Sequence, residues 1–302
     1  MQSEASIPTP AAQVDPDGCA VLQPQPKRGM SRTQKILFFA IGWLIVLMPF
    51  LFWWNTWFGR HLSDPQVNEY LHDDKKPRHI QHALVQLGDR MSHRDAAVKQ
   101  WYPDLLRLAS NPVEEVRNTD AWVMGQDPTG AGFHEALLTM LADTSPMVRG
   151  NAALSLVRFG DASGRAQIVT LLQPVQLLAP SAGRILDADR PTTAIHQGGL
   201  LAKLAPADSS QSTVEIRSPI PGRIRSIALT GANVASGAEI AVVTPSTDQV
   251  WEALRALYLV GQMDDIPAIR PYERELPDTS NDVRQQAIET EKAIRARAGI
   301  NP

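Results

Sequence analysis

The chain has 302 residues, 43% hydrophobic and 20% charged, with 29 basic against 32 acidic side chains and one cysteine. That length admits about two ordinary domains, and the near-neutral balance supplies no broad basic field for general nucleic-acid binding. A single thiol excludes an intrachain disulfide framework, paired-cysteine zinc knuckles, cysteine-ligated iron–sulfur clusters and c-type haem attachment.

Residues 1–34 are rich in Pro, Gln, Ser and Ala without periodic apolar positions, so they read as a disordered tail. A membrane-spanning helix is expected over 35–58. Ile36 to Trp54 run nineteen positions without a charge, and nineteen helical residues rise roughly 28 Å, close to the thickness of a hydrocarbon core. Twelve of them are Leu, Ile, Phe or Val, which favours insertion by roughly 4–7 kcal/mol at most. Ile36, Phe39 and Trp43 belong to this run, and Pro49 would kink it. Trp53, Trp54 and Trp57 mark the far end, where indoles prefer the lipid–water interface. A cleaved signal peptide or a core helix would compete. A signal peptide, however, ends in small residues rather than Trp-Trp-Asn-Thr-Trp-Phe.

Lys27, Arg28, Arg32 and Lys35 precede the apolar run, and only Arg60 follows closely. The positive-inside rule then puts the N-terminus in the cytoplasm and the bulk outside, which for a bacterium means inner membrane and periplasm. Cys19 would lie in the reducing cytosol. A linker is expected over 59–77, with Asp73-Asp74-Lys75-Lys76 as a solvated charge run.

Beyond it the chain repeats itself. Val116-Arg117 and Val148-Arg149 open amphipathic stretches 32 residues apart, each with a turn former, Asn111 or Asp143, six residues before its arginine. Trp251-Glu252 and Val283-Arg284 keep the same period, with Ser246 and Asp278 in the turn positions. From 149 to 252 the register fails by 71 residues. Stretches 78–91 and 95–110 look like an earlier pair. The 32-residue period with its Val-Arg opening resembles the HEAT-repeat family, which implies an α-solenoid over 78–174 and 246–302 whose helix pairs bury their apolar stripes by stacking.

The interruption has its own symmetry. Val175–Pro206 and Val214–Pro245 align without gaps at an offset of 39, matching Pro180 with Pro219, Gly183 with Gly222, and Gly198 with Gly237. Each half reads as a strand, a Pro-x-x-Gly turn, a strand, a glycine turn and a closing strand. Gly231, Val234 and Gly237 complete the pattern in the second half, whereas Thr192 replaces the first glycine in the first half. Residues 175–245 number 71, the length by which the helical register slips. This segment resembles the biotinyl/lipoyl-carrier fold, a barrel-sandwich hybrid found also in periplasmic adaptor (membrane fusion, HlyD-like) proteins. The expected fold class is therefore α+β: one transmembrane helix, then a helical solenoid interrupted by an all-β module.

Carriers of this fold hold biotin or lipoate on a lysine at the hairpin between halves. Here the hairpin is 207–212 and has no lysine, and Lys203 falls within the preceding strand. No biotin or lipoate cofactor is expected. His196 is the one histidine of the β segment, too few for a zinc peptidase. His72, His79, His82 and His93 read as solvated surface groups, and Asp264-Asp265 as a helix start. No nucleophile elbow, phosphate loop or dinucleotide fingerprint is present.

The expectation is a non-enzymatic, membrane-anchored scaffold or accessory subunit. Its partners would be the lipid bilayer and subunits of a membrane-protein complex, with no catalytic, cofactor-binding or metal residues, no nucleic acid and no small-molecule substrate. The alternative is an adaptor of an efflux or secretion system. Such adaptors usually carry a long helical hairpin where this chain has six polar residues.

Overall fold

The computed structural model describes residues 31–56, 61–208, 212–274 and 280–300. The chain divides into two units, 1–61 and 62–302. In the first, α1 (Arg32–Thr56) is long and apolar enough to cross a membrane. It begins ahead of the expected position 35 because Ser31 and Gln34 cap one another: each backbone N–H donates to the other's side-chain oxygen, at 3.0 and 3.2 Å. Ile36, Phe39 and Trp43 are exposed along it. Pro49 lies within the helix, and Trp53 and Trp54 belong to its last two turns. Trp57 and most of the expected tail lie outside the described residues.

The second unit is mixed helix and sheet. Its helices are α2 (Asp64–Leu71), α3 (Pro77–Ser92), α4 (Tyr102–Leu108, continuing a 3-10 turn over Ala96–Trp101), α5 (Glu114–Met124), α6 (Phe133–Met140), α7 (Pro146–Arg158), α8 (Arg165–Thr170), α9 (Thr247–Val260), α10 (Ile266–Ile269) and α11 (Asn281–Arg297). The helix α2 corrects the expected linker 59–77. Gln66 and Ser63 form a capping box, Pro65 fits the first turn, and Val67 and Leu71, one turn apart, are fully buried.

The helices α3, α5, α7, α9 and α11 pack side by side in that order, and α6 and α8 each touch the long helices before and after them. Two sets of side chains hold this spacing. Arg117 and Arg149 reach back six residues to the carbonyls of Asn111 and Asp143, both at 2.7 Å. Their guanidinium groups thus satisfy carbonyls of the turn ahead of each helix, which lie outside the helical ladder. Arg117 also pairs with the Asp143 carboxylate at 2.6 Å. The second set is a ladder. Tyr102 donates to Asp127, His134 meets Asp161 at 2.7 Å, and Arg165 pairs with Asp264 at 2.6 Å and Asp265 at 3.0 Å. The partners are 25, 27 and 99 residues apart. Removing the 71 residues of 175–245 brings the last interval to 28. The third rung therefore closes across the insertion.

The insertion holds β1 (Val175–Leu178), β2 (Gly183–Ala188), β3 (Ala194–Ile195), β4 (Leu200–Pro206), β5 (Val214–Arg217), β6 (Gly222–Ile227), β7 (Asn233–Val234) and β8 (Glu239–Pro245). They form two antiparallel sheets, ordered β1-β8-β6-β3 and β5-β4-β2-β7. Exchanging the halves turns one order into the other. Registers agree with this two-fold relation: Gly183 faces Pro206 as Gly222 faces Pro245, and Gly183 faces Val234 as Gly222 faces Ile195. Each sheet takes two strands from each half, so neither half completes a sheet alone. Ile185 and Ile224, equivalent positions, are both fully buried in the shared core.

Pro180 and Pro219 sit in the turns that lead into β2 and β6. The glycines just after them are required by close approach. A β-carbon on Gly183 or Gly222 would stand 2.2 or 1.9 Å from the carbonyl oxygen of Ala205 or Thr244. Gly198 and Gly237 have positive φ in the paired turns before β4 and β8. Thr192 is held at φ 70° where its counterpart Gly231 has 89°. The missing glycine thus changed the residue and left the backbone path intact.

Two substitutions separate these effects. Gly222→Ala should destabilise the second unit by on the order of 3 kcal/mol, because backbone rather than a flexible side chain must yield. Thr192→Gly should stabilise it by about 1 kcal/mol, since relief of left-handed strain exceeds glycine's entropy cost. Urea unfolding of the two variants beside the parent reads both signs.

Candidate partner-binding groove

Among the described residues no group of three or more His, Cys, Asp or Glu is placed to hold a metal ion. The histidines differ from expectation. His79 stacks on Tyr70 with ring centroids 4.2 Å apart and meets Asp73 at 2.9 Å, while His82 is half-buried and bonded to Gln86. They are not solvated groups because they face α2, a helix whose apolar signal is too short to read. His72 meets Asp104 at 3.1 Å, and His93 stays exposed. Lys203 lies in β4, half-buried, with Asp187 and Glu215 as its cross-strand neighbours. Of the hairpin 207–212, residues 209–211 lie outside the described residues. Asp264 and Asp265 end the 3-10 turn Met263–Asp265 ahead of α10, and Asp265 accepts the Gln262 N–H at 2.8 Å.

A groove of about 930 Å³ crosses α5, α7, α9 and α11. Its origin is the amphipathic pattern. Each of these helices spends one face on the core, through residues such as Val123, Leu156, Leu257 and Ala287, and leaves another uncovered. Trp122 stands on α5, braced against Gly88 of α3, where a β-carbon would lie 2.5 Å from its ring. Arg158 stands on α7, and Tyr258 and Leu259 on α9. Trp122, Tyr258 and Leu259 are 38, 43 and 61% exposed, a cost that only an apolar partner removes.

The charges lining the groove do not cancel locally. Glu252 pairs with Arg255 at 3.4 Å, and Glu289 pairs with Lys292 at 4.0 Å. Arg158 donates to the neutral Gln126 amide at 2.8 Å, and among the described residues no carboxylate pairs with it. Asn151 spends its amide on Asn118 at 2.8 Å. The groove therefore offers exposed aromatic surface beside one uncompensated guanidinium. None of these residues stands out in the sequence alone. Their signal is present there all the same: Trp122, Arg158 and Tyr258 fall off the buried stripe of their helices.

A second opening of about 550 Å³ lies where Arg225, Thr244 and Pro245 of the sheets meet Leu172, Val250, Pro267 and Tyr272. The Tyr272 hydroxyl donates to the Leu172 carbonyl at 2.5 Å, and burial pushes its pKa up to about 12. That group holds the junction together rather than exchanging protons.

No family model matches the chain, and no curated protein matches it. Among solved structures it is similar to a single-chain, multi-domain long-chain acyl-CoA carboxylase, at 17% identity and a TM-score of 0.23. The likeness covers 56% of this chain, which spans 14% of that protein.

One acid stands apart. Asp120 of α5 is fully buried, both its carboxylate oxygens lack a hydrogen-bond partner, and burial drives its pKa well upward against a smaller pull from Arg107. An acid with a raised folded pKa binds its proton more tightly in the folded chain. Stability therefore falls as pH climbs from about 4, the unfolded value, toward the raised one. Asp120→Asn should remove that loss. Urea unfolding at pH 4.5, 6 and 7.5 should show the variant's advantage growing with pH.

Proposed function

We propose that this chain is a non-enzymatic scaffold or accessory subunit of a membrane-protein complex, tethered by α1 in a bacterial inner membrane with its bulk in the periplasm. In this reading the stacked helix pairs are a HEAT-like solenoid. The two exchanged sheets are a lipoyl-like barrel-sandwich hybrid that has lost its carrier lysine and serves as a rigid docking element. The observation that carries the reading is the groove across four helices, with exposed Trp122, Tyr258 and Leu259 beside an Arg158 that no acid neutralises among the described residues.

Charge complementarity defines the occupant: a segment of another subunit that brings apolar side chains to the aromatic positions and a carboxylate to Arg158. Large aromatic and arginine side chains are the types that carry most binding energy at interfaces. The short polar hairpin between the sheet halves disfavours an adaptor that spans to the outer membrane. Basic residues ahead of α1 favour the outward orientation.

A photocrosslinking amino acid placed at Leu259 in cells should capture one defined membrane subunit. Arg158→Glu should reduce that capture at least tenfold, and Arg158→Lys should restore most of it. Capture that is indifferent to the charge reversal would reject the groove as the docking surface. Phosphatase fused to the C-terminus should be active. An intact mass equal to the bare chain would agree with the loss of carrier function.

A further inference from the structure

Leu62 is the first residue of the second unit and is buried in its core beside Val67 and Leu71. Its backbone N–H donates to Oε1 of Gln86 on α3 at 2.8 Å. A backbone N–H can only donate, so the Gln86 side-chain oxygen must face Leu62 and its Nε2 must face the other way. There Nε2 lies 2.8 Å from Nε2 of His82. An amide nitrogen can only donate, so His82 Nε2 must present a lone pair. The histidine is therefore held neutral, with its proton on Nδ1. One fixed donor determines the whole chain of bonds.

Protonation of His82 breaks this logic. Two donors would then oppose one another at hydrogen-bond distance. The alternative, a flipped Gln86 amide, turns its NH2 toward the Leu62 N–H and leaves that buried donor without an acceptor. We propose that His82, Gln86 and the Leu62 amide form an acid-sensitive latch that fixes where the chain joins the helical body when the surroundings are neutral and releases it when they are acidic. An exported surface experiences the pH of the medium, where histidine is the natural sensor.

The neighbourhood sets the direction. Burial and the nearby His79 both lower the His82 pKa from its ordinary 6.5. A histidine with a lowered folded pKa contributes stability above its unfolded value, and that contribution is lost as pH falls through the folded value. From α2, Tyr70 lies 6.1 Å from the His82 ring and stacks on His79, which is bonded to Asp73 of the following turn. On α5, which packs on α3, Asp120 is buried near Arg107 of α4, and beyond the far end of α3 Asp95 pairs with Arg90. His79 and His72 each lie beside an acid, Asp73 at 2.9 Å and Asp104 at 3.1 Å. Total stability sums over every titratable group of the chain and is therefore a poor readout. The Leu62 amide reports the latch alone.

Residue-resolved hydrogen exchange on the full chain in lipid nanodiscs tests this at pH 7.5 and pH 5, after correction for intrinsic rates. Protection at Leu62 should fall at least tenfold at the lower pH, while core amides such as Leu84 keep theirs. His82→Gln supplies a permanent neutral acceptor and should hold Leu62 protected at both values. Gln86→Leu should leave it unprotected at both. Equal loss in His82→Gln, or unchanged protection in the parent, would overturn the proposal. Core protection in each variant shows that the variant is folded.

Discussion

The whole second unit depends on the closure of one loop. Val175 at the start of β1 faces Val243 near the end of β8, as antiparallel neighbours. Such partners stand about 5 Å apart. The two ends of a 71-residue module therefore meet at one edge of a sheet. That is the geometry a tight turn between two packed helices requires. Consequently α8 still packs on α9, and Gln249 of α9 donates to the Leu171 carbonyl at the end of α8, 2.9 Å away. Arg165 still finds its acids. Had β1 paired elsewhere, the insert would have pushed the helices apart and opened the apolar core they share.

The interlocking of the halves supplies the rigidity that such an insert needs. Because β1 and β3 pair with β8 and β6 rather than with their own half, unfolding either half strips strands from both sheets. The module also touches the stack at defined points. Gln197, in the turn before β4, donates to Glu114 at 2.5 Å, and Glu114 also accepts from Ser145, the N-cap of α7, at 2.6 Å. Met147 of α7 packs against the module's core. One carboxylate thus joins two helix starts to the module.

Much of this was legible in the sequence because repetition multiplies weak signals. The Val-Arg spacing could be read without knowing that Arg117 and Arg149 tie down carbonyls six residues back. The 39-residue offset required only that both halves keep glycine where a carbonyl approaches. What escaped reading was what occurs once. In α2 two apolar residues separated by one turn amount to no period at all, and its helix is set by the Ser63–Gln66 cap. Missing α2 removed the surface against which His79 and His82 are half-buried, so both looked solvated. Thr192 looked like a weakness in the pattern, but hydrogen bonds hold its backbone in the glycine conformation: its N–H donates to Ile224 as that of Gly231 donates to Ile185, both at 2.7 Å. The groove residues were unreadable for a different reason. A position off the buried stripe is ordinary on one helix, and it becomes a surface only when neighbours are aligned beside it.

A two-fold fold also yields every position twice, and the helices consume only one copy. The turn that carries Gln197 is engaged by Glu114, and Arg217 beside it donates to the Gly198 carbonyl at 2.7 Å. At the equivalent end the counterpart of Gln197 is Ser236, and the counterpart of Arg217 is Leu178, which is 54% exposed. The backbone there is the same: Gly237 donates to Ala179 as Gly198 donates to Ser218. Identical geometry with opposite chemistry arises when one end must fit the stack and the other is free of that demand. Duplication provided the frame, and insertion broke its symmetry by giving the two ends different neighbours.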